Sequence, residues 1–294
     1  MYLALPENKR YVYSSVRNRK VYDWPGGRQI AVYIAINVEN FAFGEGDGVI
    51  INHKNHEPDV SNYSWRDYGN RVGIWRLYDL CKTIDIPVSL IINASIYEYS
   101  REIVDAFRLR GDEIIAHGYT NSESQSLFSE SEEKEFIKRI TLIHEREDGI
   151  RPQGWLSPWL AETKHTSDIL KLIGYSYTLN WNHDEQPTML QTTHGKLVAI
   201  PYPQELNDIP AIMIKNTSSR DFADMIIDNY EELISHSDNR PVVMGIAVHP
   251  YIIGQPHRMH HLRRALNHVY GDKKCWKTTP GRIAQYVTEN NLVF

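Results

Sequence analysis

The chain has 294 residues, 41% hydrophobic and 23% charged, a balance that suits a globular protein with room for one large α/β domain or two small ones. Its formal net charge of -5 and pI near 6.2 argue against a nucleic-acid or anionic-membrane partner. Cys81 and Cys275 lie far apart and outside any CxxC pattern, which excludes a disulfide framework or cysteine zinc site and fits a reducing compartment.

Met1–Arg10 lacks the basic start and apolar core of a secretory signal. No apolar run approaches the roughly 18 to 20 residues of a membrane span, so a cytoplasmic protein is expected. Residues 1–28 read as a polar, aromatic N-terminal extension, closed by the Trp24-Pro25-Gly26-Gly27 turn signal. From Ile30 to Ile36 the run is continuously apolar, the pattern of a strand buried on both faces, and it leads into Asn37-Val38-Glu39. Alternation along a strand puts Asn37 and Glu39 on one side. There they serve as an acid/base pair, a metal half-site, or a strand cap with a solvated carboxylate. Residues 41–64, rich in Gly, Asn, His and Asp, are too long for an ordinary connection and read as a lid or a subunit contact.

A helix follows from Trp65 to Leu80, then a buried strand at 88–92 ending in Asn93, and a helix at about 99–110. The strand Ile114-Ile115-Ala116 runs into His117-Gly118-Tyr119-Thr120-Asn121. A histidine where a buried parallel strand meets its loop lies on the face where α/β folds place their chemistry. Taken alone, it reads first as a core or loop histidine satisfied by a backbone hydrogen bond, and its companions shift that balance. Ser129 and Glu132 form a capping box for a charged helix at 129–147. Strand ends follow at Gly154–Trp159, at Tyr175–Trp181 leading to Asp184, at Leu197–Tyr202 before Glu205–Asp208, and at Pro241–His249. Helices are expected near 166–173, 219–235, 257–269 and 280–289. With no break in composition, residues 1–294 read as one domain. Roughly seven strands alternating with helices point to a parallel α/β barrel, with a doubly wound sheet as the alternative. No nucleotide-binding glycine motif follows any strand.

In a parallel barrel the strand ends Glu39, Asn93, His117, Trp155 with Ser157, Asp184 and His249 converge on one rim. One carboxylate, two histidines and an aromatic wall, without a Ser or Cys nucleophile beside a base, suit hydrolysis by an activated water. The other histidines, His144 and His183 among them, read as surface residues.

The order of these motifs, from about residue 24 to 290, resembles that of the polysaccharide-deacetylase superfamily. The resemblance implies a distorted (β/α)7 barrel. It also implies a first-strand acidic motif serving as base and metal ligand, a His-x-x-x-His motif supplying two further ligands, and a late-strand histidine acting as general acid. Here those places hold Asn37-Val38-Glu39, His117 with Asn121, and His249, so an Asp/His/His ligand set becomes Glu/His/Asn. An asparagine amide is a poor zinc ligand. No metal residues and no cofactor are therefore assigned, although a weakly bound zinc at Glu39, His117 and Asn121 stays open. The strings from Asn62 to Gly73, Gly154 to Pro158, Glu205 to Asp208 and His249 to Arg258 resemble the allantoinase-like branch of the superfamily. That likeness implies a cytoplasmic homotetramer that opens the ring of allantoin, a cyclic ureide, to allantoate without a metal.

The roles expected for a cyclic-amide hydrolase follow. Glu39 takes the proton of the attacking water, and His117 orients that water or stabilises the oxyanion. Asn37 and Asn121 donate to carbonyl oxygens of the ring, and His249 protonates the departing nitrogen. Trp155 and Trp159 sandwich the ring, Ser157 offers a hydroxyl and Pro158 fixes the backbone, while Asn207, Asp208 and Gln255 form further walls. The alternatives are a metal-dependent N-deacetylase of a polysaccharide or amino sugar, and a non-catalytic binding protein on a deacetylase barrel.

Overall fold

Strand β1 (Ile30–Val38) is buried along its whole length, and its alternation sets the architecture. Ile30, Val32, Ile34, Ile36 and Val38 pack outward under the helices, while Ala31, Tyr33 and Ala35 face the interior with Tyr177 and Val198. Each fully buried Ile or Val contributes about 1.5–3 kcal/mol of transfer free energy. The inward set continues through Asn37 to Glu39, which is how two polar side chains reach the open end of the interior. The computed structural model of the chain describes residues 8–53, 57–236 and 240–293. Residues 1–7 of the expected extension and 54–56 of the expected loop lie outside the described residues.

The remaining strands are β2 (Val88–Ile92), β3 (Glu113–Ala116), β4 (Gly154–Trp155), β5 (Tyr177–Thr178), β6 (Thr188–Thr192), β7 (Gly195–Ala199), β8 (Val242–Val248) and β9 (Cys275–Lys277). They form one curled sheet in the order β6-β7-β5-β4-β3-β2-β1-β8, with β9 also on β1. Strands β1, β2, β3, β4, β5, β7 and β8 run parallel, as the barrel expectation requires. Two strands were not foreseen. Strand β6 forms an antiparallel hairpin with β7, and β9 pairs with Ile30–Val32, below the point where β2 joins at Ile34. No ladder among the described residues joins β7 to β8. Single contacts span that gap: an Asn207–Ala247 bridge and the Val243 N–H to Glu185 C=O bond at 2.8 Å.

Around the sheet lie α1 (Val60–Tyr68), α2 (Ile74–Thr83), α3 (Ile96–Tyr99), α4 (Arg101–Leu109), α5 (Glu130–Asp148), α6 (Thr166–Ile173), α7 (Ser219–Ser235), α8 (Pro256–Gly271) and α9 (Pro280–Glu289). The expected helix at Trp65 begins earlier, at Val60, because Asp59 accepts the Asn62 N–H and caps it. Between α1 and α2 the chain widens into a π-helical turn, Gly69–Gly73. A Cβ on Gly73 would stand 2.1 Å from the Pro250 oxygen and one on Gly69 2.6 Å from the Tyr251 nitrogen, so only glycine lets this turn press against the loop after β8. The capping box at Ser129 and Glu132 forms as expected.

Arg19 ties the N-terminal extension to Asp184 at 2.5 Å and to Gln186, and Arg10 binds Asp168 at 2.6 Å. Asp184 is thereby taken up at the barrel's flank and, contrary to expectation, does not join the other strand ends. His144 is also corrected, since it is fully buried on the inner face of α5. Among the described residues no helix is long and apolar enough to cross a membrane.

Candidate active site

Glu39, at the inward end of β1, lies under a cleft of about 150 Å³ lined by Asn37, His117, Asn121, Ser157, Trp159 and His249, together with Tyr202, Gln204 and Asn207. Glu39 is only 5% exposed, and each of its oxygens is held. Oε2 accepts the Tyr251 hydroxyl at 2.7 Å, and Oε1 accepts the Asn121 Nδ2 at 2.5 Å. Nε2 of His249 and of His117 stand 3.5 Å and 3.7 Å from Oε1. Asn70 of the π-turn donates to the Glu39 carbonyl at 2.8 Å, fixing the strand end from the helix side.

The two histidines differ in their second nitrogen. His117 Nδ1 is 2.7 Å from the Leu156 carbonyl, an acceptor only, so Nδ1 carries a proton. The other nitrogen, Nε2, is buried and has no hydrogen-bond partner. That atom is free to meet a water or an oxyanion in the cleft. His249 Nδ1 lies 2.6 Å from Asp208 Oδ1, and its backbone N–H donates to Asp208 Oδ2 at 2.9 Å. Burial works against the charged imidazolium of His249, but the carboxylates of Glu39 and Asp208 overcome it and raise its pKa well above the ordinary value. For Glu39, burial pushes toward the neutral acid, and the charge of His249 with contacts from both imidazoles pulls the pKa below the usual carboxylate range. The resting pair is an ionised Glu39 facing a protonated His249.

The other expected site residues divide. Asn37 lines the cleft with its Nδ2 3.0 Å from the Tyr202 hydroxyl. Ser157 Oγ accepts from Trp155 Nε1 and Asn180 Nδ2, both at 2.9 Å, which leaves its own hydrogen for the cleft. Trp159 forms the mouth, 41% exposed at φ 60, with its Nε1–H on the Asn121 carbonyl at 3.1 Å. Asn207 is part of the cleft lining. Trp155 is not. It is fully buried on the outer side of β4 against Tyr175, and Leu156 takes the inward position. Pro158 lies under the cleft loop, where it packs so close to Gly118 that a Cβ there would come within 2.6 Å. Asp208 acts through His249 and not as a wall. Gln255 stands at the start of α8, outside the lining. Tyr251, to which the sequence reading gave no role in the site, is a direct partner of Glu39. Its position two residues beyond His249 gave no hint that the loop turns back.

Nearly the whole chain has counterparts among known structures. The chain carries the polysaccharide-deacetylase fold. A probable polysaccharide deacetylase from Pseudomonas aeruginosa PAO1 superposes with a TM-score of 0.82 at 24% identity, over 92% of this chain and 95% of that one. The PuuE allantoinase superposes with a TM-score of 0.85 at 22% identity, over 99% of this chain and all of the other. In sequence, a Schizosaccharomyces pombe protein with the provisional name of polysaccharide deacetylase is 23% identical over 296 residues, 95% of this chain and 91% of its own. No family model matches the chain.

Deacetylases on this barrel typically use a metal, so the donor set here bears on the chemistry. Among the described residues no group of three His, Cys, Asp or Glu side chains is placed to hold a metal ion. Asn121 turns its amide nitrogen toward Glu39 where a ligand oxygen would be needed. As placed, these residues do not fit a tetrahedral zinc.

Proposed function

We propose that the protein is a hydrolase that opens a small cyclic amide or ureide, allantoin before others, by water attack without a metal. The observation that carries this reading is the opposed pair in a small cleft, with ionised Glu39 and protonated His249 3.5 Å apart over about 150 Å³. The water gives its proton to Glu39 while its oxygen bonds to the ring carbonyl carbon. His117 Nε2 accepts the water's second hydrogen and aims it. When the carbon–nitrogen bond breaks, His249 Nε2–H protonates the departing nitrogen, and Asp208 holds the ring of His249 in place. We assign Ser157 Oγ–H and the free hydrogen of Asn121 Nδ2, both on the cleft wall, as donors to the carbonyl oxygens. The space favours a five-membered ring over a sugar chain, and the likeness to an allantoinase supports that choice. We also read the protein as a homo-oligomer, a tetramer by the sequence resemblance, which its mass in solution would test.

The deciding experiment is allantoin hydrolysis by purified protein with and without a strong chelator, beside Glu39→Gln. We expect turnover that survives the chelator and falls by on the order of 10²- to 10⁴-fold in Glu39→Gln. Loss of turnover with the chelator would return the chain to metal-dependent N-deacetylation. No turnover of any cyclic ureide would refute the proposal.

A further inference from the structure

Asn93, at the end of β2, does not line the cleft, yet all of its side-chain polar atoms are engaged along a path that ends at Glu39. Its Oδ1 accepts the Asn40 backbone N–H at 2.8 Å. Its Nδ2 donates to the His117 carbonyl and, at 3.0 Å, to Asn121 Oδ1. Two partners fix which amide atom is which, because a backbone N–H only donates and a backbone carbonyl only accepts. Asn93 therefore turns its NH2 toward Asn121, and Asn121 must answer with oxygen. Its own NH2 is then left facing Glu39 Oε1 at 2.5 Å. The backbone of Asn121 is held as well, N–H on the Asn40 carbonyl at 2.8 Å and C=O under Trp159 Nε1. Asn93 and Asn121 are buried, so neither bond competes with solvent.

We infer that Asn93 is the positioning residue that fixes the sense of the Asn121 amide, so that position 121 offers Glu39 a hydrogen-bond donor in place of an oxygen lone pair. The inference deepens the proposed hydrolase reading of the same site and rests on it only for the kinetic readout. Oε1 is steadied by Asn121 while Oε2 is held by Tyr251, which leaves the carboxylate in one orientation toward the cleft. The same donor denies a divalent cation the third ligand it would need beside Glu39 and a histidine.

The test is zinc binding by calorimetry to the full chain, wild type against Asn93→Ala and Asn121→Asp, with allantoin turnover recorded alongside. Asn121→Asp keeps an oxygen for Asn93 and puts a second oxygen where the donor was. We expect no stoichiometric uptake of micromolar zinc by the wild type and uptake of one ion per chain by Asn121→Asp. Asn93→Ala frees Asn121 to turn its oxygen inward. It should bind zinc with intermediate affinity and lose kcat on the order of tenfold to 100-fold, with KM little changed. Asn93→Ser takes its place if the alanine variant does not fold. A side chain that merely supports the fold would lose thermal stability without gaining zinc. Stoichiometric zinc on the wild type overturns the inference, as do folded position-93 variants that gain no zinc. If no ureide is turned over by the wild type, the zinc measurements still decide the inference, so its failure and that of the hydrolase reading are separable.

Discussion

Asp208→Asn isolates the acid half of the proposed catalytic pair. Both oxygens of Asp208 serve His249, one on the ring Nδ1 at 2.6 Å and one on the backbone N–H at 2.9 Å. An asparagine has one oxygen and one NH2, so one of those N–H groups meets another donor, and the negative charge is gone. Two unit charges about 4 Å apart interact by roughly 4 kcal/mol at an effective dielectric of 20. One pKa unit is about 1.4 kcal/mol, so removing the charge should lower the His249 pKa by about 2 to 3 units. Glu39 still opposes His249 at 3.5 Å and keeps part of the elevation. The sign follows from the role: the acid must carry its proton, so activity is lost as pH rises through the His249 pKa. The assay is kcat/KM for ring opening across pH, which reports the free enzyme. The alkaline limb should move to lower pH by about 2 to 3 units, while circular dichroism stays unchanged. An alkaline limb that stays in place in a folded Asp208→Asn protein would remove His249 from the role of general acid.

Two further outcomes follow from the buried polar groups. Tyr251→Phe takes the hydroxyl from Glu39 Oε2, a bond to a charged group worth about 1.5–3 kcal/mol, so the acid limb of kcat/KM should move up by about 1 to 2 pH units; an unmoved acid limb would mean that Glu39 is not the base. His144 is buried with its pKa lowered by burial from 6.5 to about 3. The unfolded chain therefore binds a proton below pH 6.5 that the folded chain refuses, and stability falls as pH drops from that value toward 3. In urea melts, His144→Leu should gain on the wild type by about 2 to 3 kcal/mol between neutral pH and two units below 6.5; a pH-independent difference would contradict the buried, neutral assignment.

The sequence carried this site unevenly, and the reasons are physical. A long strand declares its phase. Nine residues of β1 alternate between helix layer and interior, so Asn37 and Glu39 were legible as groups sharing one side of the strand end. A two-residue strand declares none, which is why Trp155 was placed in the wall although β4 pairs it with Ala116 on the outer side and turns Leu156 inward. For His144 the signal was present and overridden by charge. Ile137, Ile140, Thr141 and His144 fall on one helical stripe, and all are buried. Asp208 was read as a wall of the cleft, because its partnership comes from a contact 41 residues along the chain. That contact exists because the barrel does not close. Where an eighth strand would stand, the segment after β7 lies against β8, with the Ala247 N–H bonded to the Leu206 carbonyl at 2.9 Å and Asn207 bridged to Ala247. The next residue is Asp208, delivered beneath the His249 backbone and ring. Filling the gap with a regular strand would alternate residues 206–208 in and out along a ladder. It would then have no reason to give both oxygens of one carboxylate to the last residue of the neighbouring strand. The irregularity that distorts the barrel is thus what supplies His249 with its partner.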